Sequence, residues 1–340
     1  VKKTLIISAV ILIVFAIIYT LGPKPDFKEI NPSLPILDLD ITQVESYLRE
    51  KDLKVKDLKP GTESELIWND PILKNKTEYV VVYLHGFSAS GEEGGDVHTP
   101  FAAYFGANLL VPRLYDSGRK SIDTYKNLTP EQMMDSAKEA IALGKLLGDK
   151  IILMSCSTGG TYSAYLAAHH PEIYSLFMYS PNIDLEDKAS NAILHPWGAS
   201  ILRLIQGGDY YVIDYYNEEQ KVHWNQKYHT DGIIALKHLI HQSMKKEVFR
   251  KITQPTFICY YYKNSREKDD VVSIDRIQDF YSQISTPDSS KRLYACADCI
   301  SHVISSRLMN KNVDQVLEES IRFAEDILHL KPIYTDVLED

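Results

Sequence analysis

The apolar run Lys150-Ile151-Ile152-Leu153-Met154 leads directly into Ser155-Cys156-Ser157-Thr158-Gly159. Helical sequence built on Gly160, Ala164, Ala167 and Ala168 follows, and Pro171 ends it. A serine caught between a strand and a helix predicts a nucleophile elbow, a strained turn that lifts the hydroxyl above a sheet and points the next backbone N–H at an oxyanion. Ser157 is the candidate nucleophile. The usual pattern is Gly-x-Ser-x-Gly, and Ser155 stands at the first glycine, where a small residue lets helix and strand pack closely. The plain alternative is a serine that caps a helix.

A nucleophilic serine needs a base and an acid, which in such sheets follow in the order Ser, Asp, His, each after a strand. Pro255 to Tyr262 is strand-like, and after a polar loop come Asp269-Asp270-Val271-Val272. Arg292 to Cys296 reads as another strand, with His302 in the loop beyond it and helical sequence expected from about Val303. Taken singly, each residue has a structural explanation as a cap or a surface residue. Together, their chain order and placement favour a Ser-His-Asp triad.

On these residues the chain resembles an α/β-hydrolase of the lid-bearing carboxylesterase, monoacylglycerol-lipase and serine-aminopeptidase-like group, over roughly residues 76–330. The resemblance implies a doubly wound, mostly parallel α/β sheet with a helical lid insertion. It also implies Asp269 rather than Asp270 as the acid, since the acid of that group opens an Asp-x-Val-Val or Asp-x-Ile-Val run. A glycine usually precedes the histidine in that group; here Ser301 does. Upstream, the β-branched run Tyr79 to Leu84 enters His85-Gly86-Phe87, which resembles the group's oxyanion loop. By that match the backbone N–H groups of Phe87 and Thr158 form the oxyanion hole, and His85 braces the loop. No cofactor is implied.

Two other chemistries have partial signals in the sequence. Cys296-x-x-Cys299-x-x-His302 has ligand-like spacing, and His238 and His241 fit one helix face, but neither set has a second half, so no metal site is expected. The glycines of Gly91 to Asp96 are interleaved with carboxylates where a phosphate would sit, which reads as a surface turn.

After Lys2-Lys3 comes an uncharged run from Leu5 to Leu21, long enough to approach a membrane span. Residues 1–22 are therefore expected to be a transmembrane signal anchor, the catalytic domain lying outside the cytoplasm; secretion after signal cleavage is the alternative. Residues 23–38, with Pro23, Pro25, Pro32 and Pro35, read as an extended stalk, and 39–340 as the hydrolase domain. Within it, Thr129-Pro130-Glu131-Gln132 is a capping box opening an amphipathic helix. The strand–helix alternation stops between about 182 and 251, where Trp197, Tyr210, Tyr211, Tyr215, Tyr216 and Trp224 mark the lid insertion.

A 44% hydrophobic content supports a sizeable core, and a formal net charge of −9 without a basic block argues against a nucleic-acid partner. Of four cysteines, Cys156 and Cys259 fall in strand patterns and read as buried thiols, while Cys296 and Cys299 could form a local disulfide if the domain is exported, a pairing the sequence leaves open. The expected activity is membrane-anchored hydrolysis of small ester or lipid substrates through Ser157, His302 and Asp269. Aminopeptidase or thioesterase chemistry on the same residues, and a catalytically silent binding protein, are the alternatives.

Overall fold

The computed structural model describes residues 2–214 and 217–333, so Tyr215 and Tyr216 of the aromatic insertion lie outside the described residues. Helix α1 (Lys2–Thr20) is exposed on every side. At about 1.5 Å per residue it is near 30 Å long, enough by length and composition to cross a bilayer. Residues 23–40 then run without regular structure to α2 (Val44–Leu53). Rather than standing clear as a stalk, this segment lies along the domain. Tyr165 Oη donates to the Ile30 carbonyl at 2.8 Å, Lys138 Nζ to that of Asn31 at 3.0 Å, and a ring nitrogen of His170 meets that of Pro32 at 2.8 Å. Phe27 meets the His238 ring edge-on, and Ile30 is buried in the core.

The strands β1 (Glu65–Ile67), β2 (Thr77–Leu84) and β3 (Asn108–Val111) begin the sheet, with α3 (Gly95–Tyr104) between the last two. Helix α4 (Pro130–Leu147) follows, its capping box formed by Thr129 and Gln132, then β4 (Gly148–Cys156), α5 (Thr158–His169) and β5 (Ile173–Tyr179). The lid region carries α6 (Gly198–Gln206), β6 (Tyr210–Val212), α7 (Glu218–His223), β7 (Lys227–His229), α8 (Asp231–Ser243) and α9 (Lys246–Phe249). The chain closes with β8 (Thr256–Tyr261), α10 (Ile274–Gln283), β9 (Lys291–Cys296) and α11 (Val313–Asp326).

The main sheet has the order β1-β3-β2-β4-β5-β8-β9, with β1 antiparallel to β3 and the other neighbours parallel. Strand alternation sends Val80, Val82 and Leu84 of β2 to the face covered by α4, α5 and α8, and Val81 and Tyr83 to the face covered by α3 and α11. Both faces are therefore buried, which is why β2 and β4 read as continuous apolar runs. In the insertion expected to be a lid, β6 and β7 pair as a two-stranded ribbon beside helices, so it is not wholly helical. The helix expected from about Val303 starts only at Val313. Residues Val303 to Ser306 are buried, and the Ser305 and Asn310 side chains hold this connection by bonds to the Glu93 and Ile304 carbonyls. β-Branched and serine residues do little to favour helix over that arrangement.

Candidate active site

Ser157 sits where β4 turns into α5, at φ 53° and ψ −118°, a positive-φ conformation that costs a non-glycine residue of order 1–3 kcal/mol. The surroundings hold it. Its N–H donates to Tyr179 O at 3.0 Å, and its carbonyl accepts from Gly160 and Asn182, both at 2.8 Å. A Cβ at Gly159 would fall 1.8 Å from the Leu84 carbonyl oxygen, so only glycine lets α5 approach β2 this closely. Ser155 is tolerated in the other small-residue position because its hydroxyl donates to Phe177 O across the sheet at 3.4 Å.

His302 lies in the loop after β9, just past a disulfide joining Cys296 and Cys299. The spacing that resembles a metal-ligand set thus holds two paired cysteines. The Nδ1 of His302 is 2.7 Å from Asp269 Oδ2, so with Nδ1–H as donor the lone pair is left on Nε2. That Nε2 is buried and has no hydrogen-bond partner among the described residues. Asp269 is fully buried, and its Oδ1 accepts from the Val271 and Val272 N–H groups at 2.9 and 3.1 Å. Asp270 is exposed. Burial raises the Asp269 pKa, but the neighbouring His302 and these hydrogen bonds outweigh it and hold the carboxyl below its usual value. Burial lowers that of His302, while Asp269, Glu93 and Asp270 together carry it above the usual histidine value.

The loop after β2 lies against the elbow: a Cβ at Gly86 would come 3.0 Å from Ser157 Cβ. His85 is buried, with Nδ1 2.9 Å from Gly86 O and Nε2 accepting from Leu114 N–H at 3.1 Å. Burial pushes its pKa down to about 4, so it braces the loop as a neutral ring. Phe87 follows Gly86, and Thr158 opens α5, whose first N–H groups have no intrahelical acceptor.

Glu93, read as part of a surface turn, is instead buried beneath this loop. Its Oε2 accepts from Gly86 N–H at 2.5 Å and from Tyr83 Oη at 3.4 Å. Burial raises its pKa to about 7, against the opposing influence of the Gly86 N–H and of His302. Glycine-rich sequence with three carboxylates gives no signal for this, because the seven-residue return from Gly86 to Glu93 is set by tertiary packing.

Ser157, Thr158, Phe87, Glu93 and His302 all line one cavity of about 650 Å³. Its other walls include Leu202, Trp224, Tyr228 and Leu236 from the lid region. A groove of about 750 Å³ between residues 33–55 and α4 is larger, but its lining includes none of Ser157, Asp269 and His302.

No family model matches the sequence, and no curated protein matches it. Solved structures do match in fold. A metagenome-derived lipolytic enzyme from work on LipS and LipT superposes with a TM-score of 0.63 at 17% identity, over 78% of this chain and 98% of that one. Est1E from Butyrivibrio proteoclasticus, with ferulic acid bound, gives 0.53 at 15% identity, over 80% and 98%. The monoacylglycerol lipase of Paleococcus ferrophilus gives 0.53 at 13% identity, over 76% and 98%. This chain has the α/β-hydrolase fold. In an α/β-hydrolase sheet, the carboxyl ends of the central strands are where ligands bind, and the Ser157 elbow occupies the end of β4.

Proposed function

We propose that this α/β-hydrolase is a serine esterase held at a membrane by α1. The observation that carries the reading is the convergence on one apolar-walled cavity of a strained Ser157 and of His302, whose far nitrogen is bonded to buried Asp269. In the proposed reaction, Ser157 Oγ attacks the ester carbonyl carbon as His302 Nε2 takes its proton. Asp269 keeps the proton on Nδ1 and stabilises the imidazolium. The Phe87 and Thr158 N–H groups bind the oxyanion, at a position where losing one donor typically slows catalysis by about 10²–10³. Collapse of the tetrahedral intermediate expels the alcohol, protonated by His302, and leaves an acyl-serine. Water, deprotonated by His302, then releases the acid.

Ile193, Leu202, Ile213 and Leu236 on the walls favour a hydrophobic acyl group. The Cys296–Cys299 disulfide supports a location outside the cytoplasm. A fluorophosphonate probe tests the chemistry: the folded wild type should be labelled, and Ser157→Ala should not be, with ester turnover lowered at least about a thousandfold. Equal labelling of both proteins rejects Ser157 as nucleophile. A panel of p-nitrophenyl esters, thioesters and aminoacyl amides then separates esterase from thioesterase and aminopeptidase activity.

A further inference from the structure

Helix α6 carries Ile201, Leu204 and Ile205 at 47%, 81% and 78% exposure, on one face by their i, i+3, i+4 spacing. Its only charged residue, Arg203, is engaged by Asp209 and Asp231. The exposed face therefore has no charge of its own. Ile201 and Ile205 also line the cavity that holds Ser157 and His302, so this face reaches the cavity rim.

What covers the face is indicated by its neighbour. Trp197, the residue immediately before α6, donates through Nε1–H to the Ile18 carbonyl of α1 at 2.9 Å, and its backbone N–H donates to Pro23 O at 2.9 Å. Ile18 belongs to the uncharged run Leu5 to Leu21, two residues short of the end of α1. At 1.5 Å rise per residue, an indole bonded there lies within a few ångströms of the end of the apolar helix. If α1 is in a bilayer, Trp197 is at the bilayer boundary, the depth that tryptophan prefers.

We propose that the outer face of α6 rests on the lipid surface beside the point where α1 leaves it, and that the cavity mouth there takes up esters whose chains lie in the membrane. The docking part rests on the reading of α1 as a membrane helix, and the substrate part also on the serine-esterase reading. The tether fixes the occupant: an apolar face whose first residue, Ile201, follows the α1 contact at Trp197 by four residues of chain is adjacent to the same lipid. Interfacial amphipathic helices bind by this burial of one apolar face.

The test uses the full chain in phosphatidylcholine vesicles. Cys156 and Cys259 are buried and Cys296 is paired with Cys299, so a polarity-sensitive fluorophore can be placed on Leu204→Cys. Asp149→Cys, at the far end of β4 from Ser157, is the reference. Quenching by brominated acyl chains relative to aqueous iodide should be several-fold greater at 204 than at 149 for a site in the interface. An equal or smaller ratio at 204 overturns the docking. In parallel, Leu204→Asp should lower turnover of a bilayer-embedded long-chain ester by about tenfold relative to a soluble short ester. An unchanged ratio of the two activities overturns the substrate part. Because the quenching readout needs no turnover, failure of the esterase reading and failure of the docking are told apart.

Discussion

Ionising Glu93 places a negative charge at a buried position beneath the Gly86 loop, on the cavity wall and close enough to His302 to raise its pKa. An ordinary glutamate titrates near 4.3, so the buried carboxyl, held at about 7, stays protonated over a range in which the unfolded chain ionises. Stability is therefore lost as pH rises through that window. Glu93→Gln should gain stability relative to wild type between pH 5 and 8, as read by urea unfolding. The same substitution keeps an acceptor for Gly86 N–H while removing the charge, so the acidic limb of the ester pH–rate profile should move to lower pH. A limb that stays in place would show that Glu93 does not tune His302. In wild type that limb should lie above the ordinary histidine value of about 6.5, since the proposed base must be neutral and its pKa is raised. Asp269→Asn should lower turnover by about 10⁴-fold through the wrong imidazole tautomer, and Asp270→Asn by far less; steady-state kinetics on both variants decide the assignment of the acid. Ser157, Asp269 and His302 are legible in the sequence because each follows a strand pattern. Glu93 is not, because what distinguishes it from Glu92 is the Gly86 N–H, brought to it by the fold.

Elements with a strong local signal are legible, and those decided by tertiary contact are not. The capping box of α4, the buried strands β2 and β4 and the small-residue helix α5 all follow from patterns of caps, runs and periodicity. The three-residue strands β6 and β7 do not, because a ribbon so short exists only through its pairing. Neither does the irregular path from Val303 to Asn312, where burial and side-chain bonds replace helix formation. The two lid tryptophans also separate by position. Trp224 is buried on the cavity wall, while Trp197 stands at the α1 junction. Trp224→Phe should therefore shift preference among soluble p-nitrophenyl esters toward longer acyl chains, with the pH profile unchanged, and Trp197→Phe should leave the soluble-ester series as it was. If Trp224→Phe gives the wild-type chain-length series, that residue packs the lid without shaping the substrate site.

Across the whole molecule, residues 23–40 join the apolar helix α1 to the sheet by wrapping the domain. The prolines revealed that this segment is not helical, but which surface it meets depends on Tyr165, Lys138, His170 and Gln242, all distant in sequence. A chain beginning at Lys24 keeps these contacts and should remain folded and active on soluble esters. One beginning at Leu39 loses the buried Ile30 side chain, of order 1.5–3 kcal/mol, and several hydrogen bonds of about 0.5–1.5 kcal/mol each. Urea midpoints of the two truncations should differ accordingly, and equal midpoints would show the wrap to be a passive tether.

The same wrap sets how the molecule bears mechanical load. A pull on α1 reaches the Trp197–Ile18 and Trp197–Pro23 bonds and then the single row of contacts from Phe27 to Pro32 before any sheet strand is strained. Such a row yields one contact at a time, and once freed residues 23–40 form a tether that can extend to at most about 60 Å at ~3.4 Å per residue. With α1 in a bilayer, as proposed, drag or bilayer deformation would unspool this tether first, leaving the parallel core shielded from tension.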